Sequence, residues 1–135
     1  MSSIYKEISL RTSPAAVWDV VRDVGAVHTR FAPGFVTDVV MEAGGAARMV
    51  SFANGFVARE VIVDIDEDRC RLAYSVRSER LSHHNASFQV LADGDGSRLV
   101  WIADVLPAEA AVSVGAMMED GLRVVERTLG TPVAA

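Results

Sequence analysis

Cysteine is almost missing from this 135-residue chain: Cys70 is the only one. That excludes an internal disulfide and a cysteine-based zinc site, and a small buried hydrophobe is the expected role of the residue itself. Histidine is also scarce. His83 and His84 are neighbours, so on a strand they face opposite sides, and His28 lies far off in the chain. No metal site and no cofactor are therefore expected. Half the residues are hydrophobic, yet no apolar run approaches the ~20 residues of a membrane span. The opening residues, Met1 to Glu7, lack the apolar stretch of a signal peptide, which makes a cytoplasmic location the expectation. A formal net charge of −5 argues against nucleic acid, whose phosphates demand a basic surface. Gly44-Gly45 and Asp93–Gly96 read as hairpin turns with no helix following, so no phosphate-cradling loop is present. With no repeat, linker or low-complexity tract, residues 1–135 read as one domain.

What the chain does have is a long amphipathic stretch from Pro107 to about Leu129. At helical spacing Ala110, Ala111, Val114, Met117, Met118, Gly121, Leu122, Val125 and Leu129 share one face. Pro107 suits the start, and Gly130 with Pro132 suits the stop. Ordinary core packing explains such a stripe. Its small and flexible members, Ala110, Gly121, Met117 and Met118, also suit the lid of a hollow, because methionine adapts to irregular gaps and to varied apolar ligands.

Ahead of that helix the pattern is mostly strands. Residues 3–12 alternate, and Ser13-Pro14 then caps and opens a helix whose buried stripe is Val17, Trp18, Val20, Val21 and Val24, ended by Gly25. After the Pro33-Gly34 break come Phe35–Glu42, Ala47–Ala53, Phe56–Ile65, Arg69–Arg77, His83–Leu91 and Arg98–Leu106, with Asn54-Gly55 the strongest hairpin signal. Seven strands against one long helix make an α+β layer architecture.

Alternation assigns the face toward the helix. Arg69, Arg71 and Arg77 turn Cys70, Leu72, Tyr74 and Val76 inward. Pairing across the Asp66–Asp68 turn then puts Ala58, Glu60 and Ile62 inward, with Glu60 opposite Tyr74. His84, Ala86, Phe88 and Val90 follow on the next strand, and Leu99, Trp101, Ala103 and Val105 on the last. The inner face is thus apolar except for Glu60, Tyr74 and His84 on three neighbouring strands. A buried carboxylate is costly without a partner, so Glu60 needs one, or else a wet hollow.

Three segments, SPAAVWDVVRDVG, GGAARMVSFANG and AREVIVDIDEDRCRLAYSV, followed by the terminal helix, resemble the START/SRPBCC superfamily, with the same element order end to end. The superfamily includes the birch pollen allergen, polyketide cyclases and abscisic acid receptors. The resemblance implies a helix-grip fold: a seven-stranded antiparallel sheet wrapped around the C-terminal helix, one or two short helices after the first strand, and a hydrophobic cavity between sheet and helix. It implies that Ala58, Glu60, Tyr74, Val76, His84, Ala86, Trp101, Ala103, Met117 and Gly121 line that cavity. A loop like Ser78-Glu79-Arg80-Leu81 closes over the ligand in the receptor branch, while Phe31 stands where those receptors carry a lysine. Phe31, Phe52, Arg80, Leu81, Phe88 and Val114 complete the expected ligand contacts.

Two functions stay open on this reading. One is binding of a small hydrophobic molecule, a lipid, aromatic or polyketide-like metabolite, by a monomer or homodimer. The other is a polyketide cyclase, aromatase or dehydratase using Glu60, Tyr74 or His84 as acid–base groups in the same cavity.

Overall fold

The computed structural model describes residues 2–130, so the expected stop at Pro132 lies outside the described residues. Strand β1 is Ser2–Leu10 and helix α1 is Pro14–Val21. Ser13 caps α1 by accepting the Ala16 N–H, and Pro14 occupies its first turn. The helix ends at Val21, four residues before the expected Gly25. A π-type turn, Val27–Phe31, then brings Phe31 into the core. Strands β2 (Val36–Met41), β3 (Ala47–Phe52), β4 (Val57–Asp66), β5 (Arg71–Arg77), β6 (His83–Asp93) and β7 (Gly96–Leu106) follow. Helix α2 covers Ala111–Leu129 after a single 3-10 turn at Ala108–Ala110, so the α-helix begins later than Pro107.

All seven strands form one antiparallel sheet in the order β1-β7-β6-β5-β4-β3-β2. Consecutive hairpins build β2 to β7, and β1 closes on β7. The sheet bends around α2, which packs on β1, the π-type turn and β7, while α1 packs on β6 and β7. Gly96 marks a close approach at one corner: a Cβ there would lie 2.1 Å from the Leu10 carbonyl oxygen. On the inner face Leu72, Leu99, Val105, Met118 and Val125 are fully enclosed.

Pairing of β4 with β5 departs from the expected register. The turn holds four residues, Glu67 to Cys70, because Cys70 adopts a left-handed backbone (φ 52°) and Asp66 pairs with Arg71. Cys70 therefore sits half-buried in the turn rather than on a strand. A bulge at Val63, between Ile62 and Asp64, then sets the inner part of the hairpin. Glu60 consequently lies opposite Val76, and Ile62 opposite Tyr74. The two-residue slip keeps Glu60, Ile62, Tyr74 and Val76 on their expected face, as the period of two requires.

Candidate functional site

Between the sheet and the N-terminal half of α2 lies a cavity of about 390 Å³. Its wall brings together Phe52, Ala58, Glu60, Tyr74, Val76, Arg80, Leu81, His84, Trp101, Ala103, Val114 and Met117. A smaller pocket of about 50 Å³ continues inward, between Phe31, Phe88, Gly121, Arg48 and the π-type turn. Phe35, Phe52, Glu60, Tyr74 and Trp101 border both and form the partition. Of the residues singled out in the sequence, Ala86 touches neither space. It is buried on β6 between Tyr74 and Ala103.

The partition is aromatic. Trp101 stacks on Phe88 at 4.5 Å between ring centroids, and Phe35 meets Phe52 edge-on at 5.5 Å. Gly121 is needed beside it, because a Cβ there would lie 3.0 Å from the Phe35 ring and 3.4 Å from Trp101.

Glu60 has a partner that the sequence reading missed. Arg48, opposite it on β3, is only 4% exposed, and Glu60 is 7% exposed. The Arg48 Nε–H donates to Glu60 Oε1 at 3.0 Å, and its Nη2 lies 2.8 Å from the same oxygen. Nη1 donates to the Val24 carbonyl at 2.8 Å, and the guanidinium sits 5.5 Å from the Tyr74 ring centroid. Alternation from Val50 and Phe52 was the available signal, since it also turns Arg48 inward. Burial pushes the Glu60 carboxyl above the usual carboxylate range, with the guanidinium pulling the other way. Burial likewise raises the Tyr74 phenol far above its ordinary value, the Glu60 charge adding to the effect, so Tyr74 stays a neutral hydroxyl.

His84 is separate from this cluster. It stands at the mouth of the cavity, half-buried, and its Nδ1 is enclosed with no hydrogen-bond partner among the described residues. Burial first, and the neighbouring His83 second, lower its proton affinity. His83 faces the other side of the sheet, where it contacts Asn85. Asn85 in turn donates to Asp104 at 3.0 Å, and Asp104 also accepts from Ser3 at 2.6 Å. The two histidines thus serve opposite faces. Among the described residues no group of three or more His, Cys, Asp or Glu is placed to hold a metal ion, and no helix is long and apolar enough to cross a membrane.

Chemically, the site is an apolar chamber with a hydroxyl and an ion-paired carboxylate deep inside and an imidazole at its entrance. Glu60 is held by Arg48 in a buried ion pair.

A long helix gripped by a bent seven-stranded antiparallel sheet, with a cavity between them, defines the helix-grip class of proteins. The family model described as polyketide cyclase / dehydrase and lipid transport matches residues 1–130, and the chain belongs to that family. Solved structures share the fold at low identity. The protein XoxI from Bacillus cereus is 15% identical with a TM-score of 0.84, covering 96% of each chain. The ginseng major latex-like protein 151 from Panax ginseng is 16% identical with a TM-score of 0.79, over 94% of this chain and 93% of that one. A START superfamily protein from Mycobacterium smegmatis is 13% identical with a TM-score of 0.68, over 93% and 92%. Among curated proteins none matches by sequence.

Proposed function

We propose that this protein binds a small hydrophobic molecule, a lipid or an aromatic or polyketide-like metabolite, in the cavity between the sheet and α2. The observation that supports this reading is the 390 Å³ chamber itself, walled by Phe35, Phe52, Phe56, Trp101 and Met117 with a few polar atoms among them. Ligand sites have this composition, and a chamber this size falls within the usual range of roughly 300–1,000 Å³. Met117→Trp should fill the space from a half-buried helix position. Binding of an environment-sensitive apolar dye should fall at least about tenfold while the circular dichroism spectrum is unchanged. A wild type that binds no apolar probe would sink the reading.

A second reading, a polyketide cyclase, aromatase or dehydratase, draws on one observation. His84 borders the cavity with its Nδ1 unpartnered among the described residues, and its imidazole could move a proton to or from a substrate there. Turnover of a polyketide-like chain that His84→Gln removes, with binding retained, would favour it.

A further inference from the structure

We infer that the ligand is a hydroxylated aromatic, a phenol- or naphthol-like ring whose hydroxyl sits between the Tyr74 hydroxyl and Glu60 Oε2. The inference rests on the binding reading above and narrows it. Tyr74 Oη already accepts the Trp101 Nε1–H at 3.0 Å, so its own hydrogen must be donated elsewhere. No acceptor for it exists among the described residues, and Tyr74 is 4% exposed. The Glu60 side has the complementary gap. The hydrogen bond and the ion-pair contact from Arg48 both end on Oε1, and Oε2 accepts no hydrogen bond from a described residue. Arg48 ties the two together, bonded to Glu60 while lying over the Tyr74 ring. Both residues border the chamber.

The chamber wall therefore offers one unused donor and one unused acceptor. A buried polar group left unsatisfied is expensive, so whatever fills the chamber must serve both. Among ligand groups a hydroxyl accepts and donates at once. An ether only accepts, and its alkyl group would cover Oε2. A carboxylate would accept from Tyr74 but face the Glu60 charge. An ammonium would donate to Glu60 while confronting the Tyr74 hydrogen. The aromatic preference comes from the wall, where Phe35, Phe52, Phe56 and Trp101 all line the chamber and favour a planar ring over a saturated one.

Titration calorimetry with 2-naphthol, 2-methoxynaphthalene and 2-naphthoate tests this on the wild-type protein. Binding of 2-naphthol should be about tenfold or more tighter than that of 2-methoxynaphthalene, with 2-naphthoate weakest, because only the hydroxyl satisfies both wall groups. In Tyr74→Phe both probes should lose the hydrogen bond from the tyrosine and weaken by about threefold or more, while the preference for 2-naphthol, which rests on donation to Glu60, persists. Equal affinity of the first two probes for the wild type would overturn the hydroxyl inference and leave hydrophobic binding standing. Failure of all three to bind would instead overturn the binding reading, and this inference with it. The wild-type comparison decides the matter even if Tyr74→Phe does not fold.

Discussion

Around Leu99 and Val17 the interior is filled, whereas around Met117 and Ala103 it is hollow. Both regions lie under the same helix and the same sheet, and both present apolar side chains at the same period. The difference is volume. Toward its C-terminal end α2 contributes Leu122 and Val125 to a core that also holds Leu10, Val17, Trp18, Val21, Leu72, Val90 and Leu99. Toward its N-terminal end it contributes Ala110, Val114 and Met117, while the strands facing them supply Ala58 and Ala103. Hydrophobic periodicity places a residue on a face, but the sum of side-chain sizes decides whether that face closes. Arg48 and Glu60 lie along the border, where the small inner pocket meets the larger chamber.

Breaking that border should give the largest effect. Arg48→Met leaves the Glu60 carboxyl buried without its partner and should cost about 3–5 kcal/mol in urea denaturation. Arg48→Met combined with Glu60→Leu removes both charges and should recover most of the loss, because a well-packed apolar pair often matches a buried ion pair. A cost below about 1 kcal/mol for the single variant would mean that water reaches Glu60 freely, as at exposed pairs, and the border would then belong to the hollow half.

A truncation in each half sharpens the contrast. Leu99 is completely enclosed, so Leu99→Ala should cost about 2–5 kcal/mol. Met117 already faces empty space, so Met117→Ala should cost less than about 1 kcal/mol, well below a packed methionine. Similar losses for the two variants in parallel denaturation curves would mean that the chamber is occupied or collapsed in solution.

Much of this division could be read from the residues, and some could not. The seven strands, both helices and the inward parity of Glu60, Tyr74 and His84 follow from alternation and from the Ser13-Pro14 start. Those signals are local, and the structure agrees with them. Strand register is not local, and it depended on two features with no clear marker. One is the left-handed Cys70, which makes the β4–β5 turn four residues long. The other is the bulge at Val63. The Arg48–Glu60 pair was hidden for a related reason. Read as a two-residue turn, Asn54-Gly55 would set Arg48 against Val61. The Phe52 N–H instead bonds to the Phe56 carbonyl, and that three-residue turn places Arg48 against Glu60. Glu60, Tyr74 and His84 lie on the three neighbouring strands β4, β5 and β6, as alternation and strand order implied, so β5 separates His84 from Glu60.

The smallest expected effect is a change in how stability depends on pH, and here the mouth and the border act with opposite signs. Burial lowers the proton affinity of His84 in the folded protein, so the unfolded chain takes up the proton first as pH falls. His84 therefore contributes stability above its unfolded value, near 6.5, and that contribution is lost as pH drops from there through the folded value. Glu60 runs the other way. Its folded value is raised, so its contribution is fully present below the unfolded value and is lost as pH rises through the folded one. Denaturation midpoints of the wild type should thus decline between pH 7 and pH 5 partly because of His84. In His84→Asn, which keeps a polar side chain at the mouth without a titrating ring, that part of the decline should vanish and the curve should flatten. His83→Asn should soften the decline only slightly, since the neighbouring His83 is the lesser of the two causes that lower the proton affinity of His84. An unchanged slope in His84→Asn would mean that the mouth is open enough for water to reach the imidazole, and that the hollow begins deeper than His84.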